Sequence, residues 1–274
     1  MLAAVRGKWR GLAMLNTEFV DGAPAWVDLG APDMAKSADF YGSVFGWKFE
    51  SAGPDAGGYG MFTQDGKVVA AAGPLTEQGA APSWTLYFRT SDADATAGAV
   101  RKAAGTVRAE PADVMSEGRF AQFTDPAGAM FAVWQPGNTK GLGAVNDPGT
   151  LCWTELATPD VTGAKSFYST VLGWETDDQP MGEFTYTVIR PAAGGENSSQ
   201  GGIMPLSPEM AAVGAPTRWQ PYFEVADCDV AAAAVTANGG TVVVPASDIP
   251  GVGRFAVALD PDGAQFAMIA SVPA

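Results

Sequence analysis

The sequence predicts an α+β protein of two tandem domains, each built from two β-α-β-β-β units around a concave antiparallel sheet. Three observations carry this expectation. The stretch "DFYGSVFGWKFE" beginning at Asp39 returns as "SFYSTVLGWETD" beginning at Ser166. Trp26, Asp33, Phe40, Tyr41, Gly46 and Trp47 match Trp153, Asp160, Phe167, Tyr168, Gly173 and Trp174, all at an offset of 127. Further on, "SWTLYF" (83–88) matches "RWQPYF" (218–223), and "GRFAQFTDPAGAMFAVW" (118–134) matches "GRFAVALDPDGAQFAMI" (253–269), now at an offset of 135. A repeat of this period marks duplicated structural units. The eight additional residues fall between Asp177 and Trp219, where "PAAGGENSSQGG" reads as a loosened hairpin loop.

Each half subdivides again. "AWVDLGA" is a short run of strand-forming residues, and "PDMAKSADFYGSVFG" carries helix signals: Asp33 as N-cap, Ala38, Tyr41 and Phe45 at helical spacing, and Gly46 as the stop. "WKFES", "YGMFTQ", an Asp65-Gly66 turn and "KVVAAAG" follow as three strands. The second quarter repeats the pattern with "WTLYFRT", a helix from about Asp92 to Ala104, "GTVRAE", "RFAQFT", an Asp-Pro-x-Gly turn and "MFAVWQ". The turn glycine accepts positive φ and the proline fixes its own, so "DPAG" and "DPDG" mark the fold and not a site. The domains are expected at 23–136 and 150–273, with an N-terminal extension at 1–22 and a Gly/Pro/Asn-rich linker at 137–149. Whether the four units pair within a domain or across the halves stays open at this level.

Composition narrows the function. Of 274 residues, 47% are apolar and 17% charged, enough for a substantial core. A net charge of −14 opposes binding to nucleic acid or anionic membrane, because the summed field repels phosphate. The same charge would favour a cationic ligand, or serve solubility alone. No apolar run approaches the length that spans a bilayer, and the first fifteen residues are too interrupted for a secretory signal. Met14 is an alternative start, leaving 1–13 as a loose extension. Cys152 and Cys228 have no metal-ligand spacing and read as reduced thiols of a cytoplasmic protein.

The doubled helix motif, the Asp-Pro-x-Gly turn and the "TSDADATAGAVRKAAGTV" segment resemble the vicinal-oxygen-chelate superfamily, which includes glyoxalase I, extradiol dioxygenases and bleomycin-resistance proteins. The likeness covers roughly residues 24–272, and the tandem form resembles glyoxalase-like proteins of actinobacteria, some associated with antibiotic pathways. In metal-dependent relatives the resemblance implies ligands from the first and last strands of each unit. Carried onto this chain, those positions are Trp26, Trp153, Thr85, Gln220, Ala132 and Ala267, with the remaining pair near Ala71 and Ile203. Gln220 is the one residue among them suited to touch a cation, and the chain contains no histidine. A divalent metal needs three or four donors in one shell, so no metal and no cofactor are expected.

Strand alternation then assigns a concave lining. If Val27 and Leu29 face the helix, Trp26 and Asp28 face the concavity. Domain 1 would present Trp26, Asp28, Thr85, Tyr87, Arg89, Met130 and Trp134; domain 2 would present Trp153, Glu155, Gln220, Tyr222, Glu224 and Gln265. Trp84, Leu86, Phe88, Trp219 and Phe223 read as plain core. A strand tryptophan is more often core than site, but an adjacent carboxylate is poor core material unless paired. Arg89 facing Asp28 reads as a neutralising pair, and domain 2 has no such basic partner in its set. Arg119 and Arg254 of the doubled "GRF" stand either at a cavity mouth or in a structural role.

Two functions follow. One is a metal-independent protein that binds a small aromatic or cationic organic molecule, as bleomycin-resistance proteins do. The alternative is a metal-free enzyme or accessory protein acting on a polyketide-like or aldehyde substrate, described in such families as hydroxylase, lyase or isomerase, with Asp28, Glu155, Tyr87 or Tyr222 as catalytic candidates. A third reading has one domain binding and the other supporting. The partner is a small organic ligand, with the chain a monomer or homodimer.

Overall fold

The computed structural model describes residues 15–75, 79–182, 184–195, 198–207, 212 and 215–272. The reading of residues 1–13 as a loose extension, with Met14 as start, lies outside the described residues. Residues 15–22 are tied down: Leu15 is buried, its carbonyl accepts from Asn146, and Gly22 donates its N–H to the Arg89 carbonyl at 2.8 Å.

Each unit is a strand, a helix and three strands. Domain 1 runs β1 (Pro24–Ala31), α1 (Met34–Phe45), β2 (Lys48–Ser51), β3 (Gly60–Gln64) and β4 (Lys67–Pro74). Its second unit is β5 (Ser83–Arg89), α2 (Ala93–Lys102), β6 (Thr106–Val114), β7 (Gly118–Thr124) and β8 (Met130–Pro136). Domain 2 repeats this as β9 (Leu151–Thr158), α3 (Val161–Leu172), β10 (Trp174–Met181), β11 (Phe184–Pro191), β12 (Gly201–Pro205), β13 (Arg218–Glu224), α4 (Cys228–Ala237), β14 (Thr241–Ile249), β15 (Gly253–Leu259) and β16 (Gln265–Ser271). The helix signals act as expected. Asp33 and Asp160 cap α1 and α3 through their side chains, and Gly46 and Gly173 end them in the left-handed region.

The units pair within each domain, which the sequence left open. Two eight-stranded sheets result, ordered β2-β3-β4-β1-β5-β8-β7-β6 and β10-β11-β12-β9-β13-β16-β15-β14. Most neighbours are antiparallel, including β1 with β5 at the centre, but the first and last strands of each unit lie parallel. Three strands after the helix return the chain alongside its start in the same direction.

The helix-side faces of the two sheets meet each other. Trp84 of β5 packs on Phe223 of β13 with ring centroids 5.4 Å apart, and Phe88 packs on Trp219 at 5.2 Å. The aromatics of the doubled motif fill this junction: Tyr41 stacks on Trp47, Tyr168 stacks on Trp174, and Phe45 meets Phe223. Polar tips are satisfied across the domains. Trp47 donates to the Gly149 carbonyl and Trp174 to the Gly22 carbonyl, each at 2.7 Å, while the Tyr41 and Tyr168 hydroxyls donate to Asp260 and Asp125, the aspartates of the opposite Asp-Pro turns. The repeated sentence therefore builds one shared core between the domains. With the helix sides joined, the two concave faces point away from each other.

The eight additional residues divide into two insertions. Pro74 and Pro205 occupy matching register positions beside Ala31 and Thr158, an offset of 131, so four residues precede β12 and four follow it. Among the described residues, no helix is long and apolar enough to cross a membrane.

Candidate functional site

Alternation along the central strands puts β1 residues Trp26 and Asp28 on the face opposite Val27 and Leu29, which are fully buried on the helix side. Across β1 and β5, Trp26 lies opposite Tyr87 and Asp28 opposite Thr85. A third aromatic completes the group. Tyr59, just before β3, accepts a hydrogen bond from the Trp26 indole at 3.1 Å, and its hydroxyl lies 3.4 Å from Asp28 Oδ2. Tyr87 donates to the same oxygen at 2.9 Å.

Domain 2 writes the same sentence with a longer acid. Trp153 donates to the Tyr186 hydroxyl at 2.9 Å, Tyr186 donates to Glu155 Oε2 at 3.0 Å, and Tyr222 donates to Oε1 at 2.9 Å. Each cup is thus a tryptophan and two tyrosines closed around one carboxyl group. The extra methylene of glutamate lets the two phenols address separate oxygens, whereas in domain 1 both converge on one.

Sequence reading missed Tyr59 and Tyr186. They stand at the repeat offset of 127, so the duplication itself held the signal. Their rings need room on the neighbouring strand, which glycine provides. A Cβ at Gly73 would come within 2.8 Å of the Tyr59 ring, and one at Gly202 within 2.2 Å of Tyr186.

Electrostatics follow from burial. Removal from water pushes the Asp28 carboxyl up to about 6, even though hydrogen bonds from Tyr87 and Tyr59 favour its charged form. Glu155 is raised for the same reason, with Tyr222, Tyr186 and the nearby Arg218 guanidinium opposing the shift. All four cup tyrosines are held well above the ordinary phenol range, first by burial and then by the adjacent carboxylate. The phenols are therefore donors and not nucleophilic anions near neutral pH.

The other expected lining residues divide. Gln220 and Gln265 meet on the domain 2 face, where the Gln265 amide donates to Gln220. Trp153, Val252 and Phe255 border a small apolar cluster of Cys152, Tyr222, Val257, Ala267 and Ile269 on that side. In domain 1, Met130 is exposed at the start of β8. Trp134 is buried and donates to the Thr139 carbonyl at 2.9 Å, under the interdomain segment and beside Arg89.

Four expectations are corrected. Arg89 pairs with Asp21 and not with Asp28, because Thr85 is the residue opposite Asp28 and Arg89 lies four residues, about 13 Å, further along β5. Glu224, at the matching place in domain 2, is not free for a ligand: its oxygens accept from the Ser271 N–H and hydroxyl at 2.8 and 2.6 Å. Domain 2 also has a basic neighbour, since the Arg218 charge faces Glu155. Ile203 falls on the helix side of β12; the strand position that matches Ala71 is Gly202, opposite Glu155 as Ala71 is opposite Asp28. The arginines of the doubled "GRF" are structural. Arg119 bridges Asp94 and Asp113, and Arg254 bridges Asp229 and Asp248, each tying a helix start to an edge strand.

Comparison with known proteins places the chain. Residues 23–133 match the model of the Glyoxalase/Bleomycin resistance protein/Dioxygenase superfamily, and residues 153–269 match that of the Glyoxalase-like domain. The chain belongs to this superfamily, with two tandem domains. It is 40% identical over 273 residues to the anthracycline biosynthesis protein DauV of a Streptomyces species, covering 92% of this chain and 94% of the relative. It is 37% identical over 264 residues to the putative glyoxylase CFP32 of Mycobacterium bovis, covering 94% of this chain and 98% of that one. Among solved structures, the Mn(II)-bound glyoxalase from Novosphingobium aromaticivorans superposes with a TM-score of 0.63 at 19% identity, covering 92% of this chain and 83% of that chain. A trihydroxybiphenyl dioxygenase from Sphingomonas wittichii also gives 0.63, at 16% identity, covering 92% and 91%. At these identities the structural likeness shows the fold.

The donors present do not fit the metal of such relatives. Each cup holds one carboxyl group, and its hydrogen bonds are taken by two phenols. The positions that the resemblance marks for ligands carry indole, methyl or amide groups or a lone threonine hydroxyl, and at Gly202 no side chain. Among the described residues, no group of three His, Cys, Asp or Glu side chains is placed to hold an ion.

Proposed function

We propose that this chain is a metal-independent binding protein for a planar aromatic organic molecule, held on the concave faces by their Trp-Tyr-carboxyl clusters. One observation carries the reading: the same Trp, Tyr, acid and Tyr network is built twice, each time around the tryptophan that stands where the resemblance marks a first-strand ligand. An indole and two phenols around a part-buried acid give stacking surface with a fixed hydrogen-bonding edge. The phenols already neutralise much of the acids' pull on a cation, which favours the aromatic over the cationic class of ligand. The relatives named for anthracycline biosynthesis support an aromatic polyketide-like ligand and a place in antibiotic metabolism. Two unpaired, buried thiols accord with the cytoplasm.

A second reading is kept for one observation. A carboxyl group near pH 6, hydrogen-bonded to two phenols, is suited to move a proton at neutral pH, so Asp28 with Tyr87 could act as a general acid–base pair on a bound aldehyde or polyketide-like substrate.

The test is calorimetric titration of chelator-treated protein with anthraquinone-2-carboxamide, a planar aromatic probe, repeated with Trp26→Phe and Trp153→Phe. Binding that survives chelation and weakens in the variants supports the proposal. Binding or turnover that appears only on restoring a stoichiometric divalent metal overturns it.

A further inference from the structure

The two cups share their tryptophan, their tyrosines and a carboxyl group, but their margins differ, most of all in charge at the position two residues ahead of the row that faces the acid. In domain 1 it is Ser83, opposite Gly30; in domain 2 it is Arg218, opposite Ala157. Arg218 opens β13 and shares its face with Gln220 and Tyr222, since Trp219 between them is turned into the interdomain core.

Arg218 is part-buried, and its Nε is buried with no hydrogen-bond partner among the described residues. A guanidinium presents five donors in a fixed fork, and a buried one without an acceptor is costly. The titratable groups that face it are the Glu155 carboxyl and the Tyr222 phenol, the latter neutral near neutral pH. Neither closes the fork: the Glu155 oxygens accept from Tyr186 and Tyr222, and burial draws that carboxyl toward its neutral form. Burial also lowers the Arg218 pKa, the mark of a cation that lacks full compensation. Beside it, the Gln220 and Gln265 amides extend a polar row from Glu155 across the sheet. The corresponding row of domain 1 ends in Thr85 and Met130.

We propose that the cup of domain 2 selects a planar aromatic ligand bearing an ionised oxygen, such as an aryl carboxylate, and that Arg218 is the residue that recognises it. The inference rests on the reading of the concave faces as binding sites. The ligand's carboxylate meets the open side of the guanidinium while its ring lies on Trp153. Domain 1, with Ser83 in that place, takes the uncharged form of such a ligand.

The experiment compares anthraquinone-2-carboxylate with anthraquinone-2-carboxamide, two probes of the same ring system, by calorimetric titration of the full chain. Wild-type protein is expected to bind the carboxylate about tenfold more tightly than the amide, the size of one charge-assisted contact. Arg218→Gln should bring the two probes to about equal affinity, and Arg218→Lys should keep part of the preference because the charge remains without the fork. Ser83→Arg, away from the domain 2 cup, should add carboxylate preference to domain 1, and it answers the question even if Arg218→Gln unfolds. If wild-type protein binds both probes equally, or if folded Arg218→Gln keeps the preference, Arg218 is not the recognition residue while the concave-face reading stands. If neither probe binds, both fall.

Discussion

The two cups are the same construction put to different uses. Trp26, Tyr59, Asp28 and Tyr87 correspond one for one to Trp153, Tyr186, Glu155 and Tyr222, and the helix-side cores behind them are nearly interchangeable. What differs is the margin. Cup 1 ends in a serine, a threonine and an exposed methionine; cup 2 ends in an arginine and two paired glutamines. The difference teaches that duplication preserved the groups whose hydrogen bonds close on one another, because altering one strands its buried partners. Marginal positions, which owe nothing to a closed network, were free to diverge.

The strongest challenge to that equivalence lies in the shared core. Trp47→Ala and Trp174→Ala each remove a nearly fully buried indole and its cross-domain hydrogen bond, so each should cost about 3–5 kcal/mol in urea unfolding. Unequal costs would break the two-fold picture.

The acids should separate the cups by pH. Asp28 has a raised pKa in the folded state, so its contribution to stability is full at low pH and is lost as pH rises through about 6. Relative to Asp28→Asn, wild-type protein should lose up to roughly 3 kcal/mol between about pH 4 and 6 and stay level above that. Glu155→Gln should reveal the same sign with a weaker dependence, because Arg218 offsets part of the burial. Matched unfolding curves over that range would decide; a wild-type protein that gains stability relative to Asp28→Asn across the window contradicts the buried acid.

Smaller effects are expected from the phenols. Tyr59→Phe and Tyr186→Phe each delete the hydrogen bond given to the acid and the one accepted from the tryptophan, about 1 kcal/mol apiece, and should raise the carboxyl pKa further by removing a donor to its charged form. Carboxyl carbon NMR titration reads that shift directly, and a fall in pKa would mean the phenol does not serve the acid. Least of all should follow from Arg119→Ala and Arg254→Ala, exposed ion pairs far from the cups, which should leave probe binding unchanged.

Much of this was legible in the chain. Asp33, Gly46, the Asp65-Gly66 turn and the Asp-Pro-x-Gly turns are local signals, whose physics involves residues a few positions apart, and they appear where expected. Strand parity likewise put Trp26 with Asp28 and Trp153 with Glu155 on one face. Arg89 shows where such reasoning stops: parity names a face but not how far along the strand a partner lies, so the arginine seemed to meet Asp28 and instead meets Asp21. Tyr59 and Tyr186 escaped because they reach the acids from beyond the neighbouring strand, over Gly73 and Gly202; their offset of 127 marks them as equivalent but does not say that they cross to the acids.

The sequence by itself determined the unit, its duplication, the caps and turns, and which acids stand beside tryptophans. These depend on dihedral preference and alternation, which each segment carries wherever it lies. Only the tertiary structure decided that units pair within a domain, that the doubled motif seals two domains back to back, and that each acid is closed by two phenols while Arg218 is left open. Those outcomes depend on packing and on unmet hydrogen bonds between residues far apart in the chain, and such terms take a value only once the strands are side by side.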